Sequence, residues 1–125
     1  MIEHEAAILA FLLAFREGST CDSVNYRWFA ERYPRFLYVD RVVVSDAAQG
    51  TGLGSLLYRT VFAHAQASSV PLVTCEFDID PPNPASASFH ARFGFREVGQ
   101  QQVAFGKKTV SLQAAAVKIQ YPAHF

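Results

Sequence analysis

Cysteine is scarce in this chain: Cys21 and Cys75 are the two in 125 residues, and they match no metal-ligand spacing. Cys75 stands in an apolar run and reads as a buried, reduced thiol. Charge of one sign is also lacking. Eleven Lys and Arg balance eleven Asp and Glu with no basic stripe, so no nucleic-acid partner is expected. Long apolar runs are missing too. Ala6 to Phe15 spans ten residues, about half of what a bilayer-crossing helix needs, so no membrane partner is expected either. Acidic Glu3 and Glu5 stand where a secretory signal carries positive charge, which points to a cytoplasmic location. No repeat, low-complexity tract or linker interrupts the sequence. With 50% hydrophobic residues, 1–125 reads as one domain with a real core.

One stretch organises what is there. Gln49-Gly50-Thr51-Gly52-Leu53-Gly54 follows an apolar run, Leu37 to Val44, that reads as a buried strand. It opens a segment with Leu53, Leu56, Leu57 and Val61 at the spacing of an amphipathic helix. Glycines at alternate positions leave the backbone N–H groups unshielded. At a helix start those donors lack intrahelical partners, and the helix dipole adds partial positive charge. Such a junction suits a phosphate, above all a pyrophosphate. The strand-to-helix position sets this stretch ahead of a merely flexible glycine turn.

Around it, Phe36 to Val44 is the firmest strand, the helix runs to about Gln66, and Leu72 to Phe77 reads as a second buried strand. Strand, helix, strand implies a parallel pair with a right-handed crossover. Asp78-Ile79-Asp80-Pro81-Pro82 reads as a rigid turn carrying two carboxylates. Asn83 caps a short helix with Pro84 at its first position, and Gly94 stands in the place of a left-handed terminating residue. Arg96 to Val103 and Thr109 to Leu112, joined through Gly106, read as an antiparallel hairpin. Ser19 to Pro34 reads as an aromatic-rich loop with one or two helical turns. Composition favours a helix over Ala6 to Phe15, and residues 113–125 form a tail without an assignment.

Two landmarks carry a resemblance. Val42-Val43-Val44 followed after four residues by Gln49-Gly50-Thr51-Gly52-Leu53-Gly54 resembles the acyl-CoA signature of the GNAT N-acyltransferase superfamily, Arg/Gln-x-x-Gly-x-Gly/Ala. Downstream, the segment from Asn83 through Ser86 and His90 to Gly94-Phe95 is similar to that family's second hallmark, a helix opened by Asn and closed by an aromatic-rich Gly-Phe. The likeness covers Phe36 to Leu112. It implies an α+β sandwich around a mixed, mostly antiparallel sheet with a splayed central parallel pair, and it makes Ala6 to Phe15 a strand. Acetyl-CoA would then lie in the splay as acyl donor, its pantetheine on the free backbone of Val42, Val43 and Val44. The pyrophosphate would rest on the N–H groups of Gln49, Gly50, Thr51, Gly52, Leu53 and Gly54, with Asn83 and Ser86 at the edge. No metal is called for.

The activity implied is transfer of an acetyl group to a primary amine, on a small molecule or on a protein. The departing thiolate, with a reference pKa of about 8.5, benefits from an acid. The family commonly supplies a Tyr; the matching position here is His90, a departure that an imidazolium could serve. Asp40, Glu76 and Asp78 are the candidate bases for the amine. The family pattern also places a strand and two helices ahead of the position of Met1. Their absence predicts exposed apolar surface and a homodimer. The rival reading is a non-catalytic acyl-CoA-binding or dimerisation domain with an incomplete acceptor site. A Rossmann nucleotide module fits poorly, because its glycines follow the strand directly whereas five residues intervene here. A P-loop fails for want of Gly-Lys-Ser/Thr.

Overall fold

The computed structural model describes residues 2–4, 7–80 and 82–118. Its strands are β1 (Ile2–His4), β2 (Ala7–Arg16), β3 (Leu37–Val44), β4 (Leu72–Asp80), β5 (Arg96–Val103) and β6 (Lys108–Ala116). Its helices are α1 (Val24–Ala30), α2 (Leu53–Ala67) and α3 (Pro84–Arg92). The strands form one sheet in the order β1-β2-β3-β4-β6-β5, antiparallel everywhere except between β3 and β4. This is the mixed α+β arrangement that the family resemblance implied. Residues 119–125 of the unassigned tail lie outside the described residues.

The stretch Ala7–Arg16 is a strand although its alanines and leucines favour helix. Its ladder with β3 runs from Ala10↔Val44 to Arg16↔Leu37 and turns Leu12 and Ala14 onto the core. Tertiary pairing here outweighs intrinsic propensity. The double-carboxylate segment also differs from expectation. Asp78 and Asp80 stay in β4, opposite Val110 and Thr109, so the strand runs three residues past Phe77. At the far end Gln113–Ala116 complete β6, pairing with the first residues of β4.

Helix ends follow local rules. The Ser23 hydroxyl caps α1 by accepting from the Tyr26 N–H at 3.1 Å. Asn83 caps α3 by accepting from the Ser86 N–H at 3.2 Å, Pro84 follows, and Gly94 takes the left-handed φ of +86° just beyond. The buried face of α2 is Leu57, Tyr58, Val61 and Ala65, while Leu56 of the expected stripe is 44% exposed. One core lies between α2 and the sheet around Leu37, Val61, Val73 and Phe95; a second lies under α1 around Tyr26, Phe29, Phe36 and Leu112.

The feature that positions the site is the short contact between the parallel strands. Only Leu37↔Val73 and Tyr38↔Thr74 pair. Beyond them Val39–Val44 keep β2 as partner, Cys75–Asp80 keep β6, and the facing edges separate into a V. Asp40 falls at the break in the β2–β3 register, between Val39↔Ala14 and Arg41↔Leu13. A bulge there adds twist and re-aims its side chain. On the other side of β6, Trp28 of α1 lies flat over Gly99 of β5, so that an added Cβ would come within 2.4 Å of the indole. Gly99→Ala should cost about 1–3 kcal/mol in urea unfolding. The penalty should shrink in a Trp28→Leu background if that close approach is its cause.

Candidate active site

At the mouth of the V the chain passes through a short helical turn, Asp46–Ala48, and enters α2 with Gly50 and Gly52 at φ of +81° and +85°. Both angles suit glycine and strain any residue with a Cβ. The Gln49 and Thr51 N–H groups return to the Asp46 and Ala48 carbonyls at 3.4 and 3.3 Å. Those of Gly50, Gly52, Leu53, Gly54 and Ser55 find no acceptor among the described residues, and the first helical bond runs from Leu56 N–H to the Gly52 carbonyl at 3.0 Å. Five of these donors therefore converge on a hollow of about 300 Å³ walled by Val44, Gln49 and Phe89. This is a cradle for an anion.

Val44, Gly54 and Phe89 also border a second cavity of about 350 Å³, deeper in the V, so the two hollows form one continuous groove. Asp40, Val42, Tyr58, Glu76, Ser86 and His90 line the deeper part. A larger cavity of about 500 Å³ lies elsewhere, between α2 and residues 116–118, and contains no carboxylate. Glu76 is held by the Tyr38 hydroxyl, which donates to Oε2 at 2.7 Å. Burial pushes the Glu76 carboxyl up to about 7; bonds from Tyr38 and Asn25 pull against this, and Asp40 and Asp78 add to it. A carboxyl poised near neutrality is suited to exchange a proton with an amine.

His90 reaches the groove as expected, though not in the expected charge state. It is 8% exposed, packed against Tyr58, Phe77, Phe89 and Phe95, and burial holds its pKa below the usual imidazole value. Nδ1 lies 2.7 Å from the Ser86 carbonyl, which can only accept, so Nδ1 carries the proton. Nε2 then accepts from the Tyr58 hydroxyl at 2.9 Å. The imidazolium acid read from the sequence is thus corrected: desolvation outweighs the Ser86 carbonyl, which alone would favour the charged ring, and leaves His90 neutral.

Most other expected residues gather in the groove. Asp40, Val42, Val44, Gly54, Glu76 and Ser86 line it together, and Gln49, Gly50, Gly52 and Leu53 line its mouth. Three do not. Val43 points to the opposite face of β3 and is 41% exposed, as alternation requires. The Thr51 hydroxyl turns back to the Ala48 carbonyl. Asn83 is occupied capping α3 and borders a separate hollow with Phe77 and Pro82. Conversely, Tyr38, Tyr58, Asn25 and Phe89 were not singled out from the sequence. Tyr58 stands one helical turn after Gly54 on the same face, the spacing that could have found it. Among the described residues no group of three or more metal-ligating side chains occurs, and no helix is long and apolar enough to cross a membrane.

The comparisons agree with this geometry. Residues 2–95 match the Acetyltransferase (GNAT) family. A phosphinothricin N-acetyltransferase of Streptomyces coelicolor is 48% identical over 58 residues, 46% of this chain and 33% of that protein, so the chain spans about a third of the length of this curated relative. Among solved structures, Chaetomium thermophilum Naa20 in complex with a bisubstrate analogue has a TM-score of 0.71 at 16% identity, covering 92% of this chain and 63% of that one. The NatC complex bound to Gag peptide and CoA has a TM-score of 0.68 at 10% identity, covering 88% and 62%. At such identities the structures speak to the fold alone, and the fold, the glycine loop and the family match converge on one assignment: the chain belongs to the GNAT acetyltransferase family.

Proposed function

We propose that this protein is an N-acetyltransferase that moves the acetyl group of acetyl-CoA directly to a primary amine. The observation that carries the reading is the groove itself: unpartnered N–H donors at the start of α2 lead into a parted strand pair that holds a near-neutral carboxyl. The CoA pyrophosphate takes the N–H groups of Gly50, Gly52, Leu53, Gly54 and Ser55. Pantetheine runs along the free edge of β3 past Val42 and Val44, which brings the thioester to Glu76, Tyr58 and His90. Glu76, as carboxylate, removes a proton from the acceptor ammonium. The amine nitrogen then bonds to the acetyl carbon, the C–S bond breaks with its electron pair on sulfur, and the second proton shed by the nitrogen as it becomes an amide passes through solvent to the thiolate.

Neutral His90 serves by orienting Tyr58 on the thioester wall rather than as a charged acid. Asp40, aimed by the bulge, adds negative potential that draws in a cationic acceptor. The acceptor is an amine on a small molecule or on a protein. A small-molecule acceptor has the support of the relative named for phosphinothricin. A homodimer and a cytoplasmic site of action belong to the same reading. Support for self-association comes from β2 and β3, where Leu13 and Val43 expose apolar side chains on the face away from α2.

Three measurements test this. Acetyl-CoA should bind in calorimetry, and Gly52→Asp should weaken that binding by about 100-fold or more, since like charges would face each other. Gly52→Asn, uncharged and tolerant of left-handed backbone, should bind better than Gly52→Asp; equal binding by all three proteins would remove the loop from the site. In an amine panel, kcat/KM should rise with pH through about 7 and level off, because the carboxylate form of Glu76 does the work. Glu76→Gln should lower kcat/KM by about 100-fold or more and abolish that rise. Binding of acetyl-CoA with no turnover of any amine would favour the non-catalytic alternative.

A further inference from the structure

The hydrogen bond between Tyr38 and Glu76 falls where the parallel ladder ends. Tyr38↔Thr74 is the last pair joining β3 to β4, and Glu76 stands two residues beyond Thr74 on the same face of β4. Backbone pairing has stopped there, yet the Tyr38 hydroxyl reaches across the opening and donates to Glu76 Oε2 at 2.7 Å. Its ring is fixed from behind. Tyr38 is buried, with Tyr26 edge-on at 5.7 Å and Phe29 at 5.8 Å, both on α1. The Tyr26 hydroxyl in turn donates to the Arg16 carbonyl of β2 at 2.6 Å. A glutamate side chain is long and free to turn, whereas a packed phenol is rigid. Tyr38 therefore sets the place that the carboxyl takes.

We propose that Tyr38 is the positioning residue of the Glu76 carboxylate: by engaging Oε2 from across the opening, it holds the carboxyl at the apex of the V and leaves Oε1 to meet the acceptor amine. This rests on the base role given to Glu76 above. The bond has one polarity. A carboxylate only accepts, and burial together with the Glu76 charge opposes ionisation of the phenol, so the proton stays on Tyr38. Tyr38 thus takes no part in proton transfer; it aims the group that does. The surroundings make this bond consequential. Asp40 on β3 and Asp78 on β4 repel the carboxylate, and desolvation opposes it. Lys108 of β6 lies 3.7 Å from the Asp78 carboxylate and so partly offsets that repulsion. Arg41 of β3 borders the same cavity but is exposed to solvent, which screens it. Tyr58 of α2, Cys75 of β4 and His90 of α3 line the cavity as neutral groups. A hydrogen bond given to the charged form favours that form, and Tyr38 gives one at short range.

The test is Tyr38→Phe, which keeps the packed ring and removes the hydroxyl alone. The Glu76 carboxyl is followed by carbon-13 NMR titration, its signal assigned through its loss in Glu76→Gln, alongside the pH dependence of kcat/KM. In Tyr38→Phe the carboxyl pKa should rise by about one unit, and the rise in kcat/KM should move to higher pH by the same amount. On the high-pH plateau, where the carboxylate is fully formed, kcat should still be lower by about tenfold, because the base is charged but no longer aimed. Acetyl-CoA affinity should be unchanged. In a Glu76→Gln background Tyr38→Phe should cost no further activity, since it acts only through Glu76. A purely structural role would lower thermal stability without moving the titration. An unmoved carboxyl titration, a wild-type kcat on the plateau, or additive losses in the double variant would overturn the proposal. If the titration moves as stated while the wild-type rate has no rise near pH 7, Tyr38 still holds the carboxyl and the base role of Glu76 falls instead.

Discussion

Everything at the site depends on a parallel strand pair that stops pairing after two residues. Separated strand edges expose backbone donors and acceptors and are ordinarily a liability. Here each edge belongs to a strand fully zipped on its other side, β3 to β2 and β4 to β6, so the V stays open without loss of the sheet. The opening gives a linear ligand backbone to pair with. It also runs from the unpartnered N–H groups at the start of α2 toward the carboxyl on β4. A continuous ladder between β3 and β4 would close the groove however well the glycine loop were formed.

Burial then sets the chemistry by one rule with two outcomes. Desolvation disfavours charge, so it raises the acid Glu76 and lowers the base His90. The outcome is a neutral imidazole and a carboxyl half-ionised near pH 7, set among aromatic rings. In the proposed transfer the attacking amine must also be neutral, and the burial that discharges His90 favours that form. The hydrogen bond from Tyr38 supports the Glu76 carboxylate against that burial.

Much of this was legible in the residues. The Gly50–Gly54 spacing at a strand-to-helix junction, the Asn83-Pro84 cap and Gly94 located the cradle and both helices, because these are local effects of backbone freedom and unpaired N–H groups. The strand at Ala7–Arg16 was not legible from composition, since its alanines and leucines favour helix and its long ladder, with β3, joins residues more than twenty positions apart. Leu56 looked like core and is exposed, because a helix stripe read from sequence cannot say which part of it meets the sheet.

The sequence by itself determined most of the elements, the glycine junction and the list of ionisable side chains, since each is written in neighbouring residues. Tertiary structure alone decided which of them act together and in what protonation state. Tyr58 meets His90 across 32 positions and Tyr38 meets Glu76 across 38. A pKa is a property of what surrounds a group, and those surroundings come from distant parts of the chain brought together by folding.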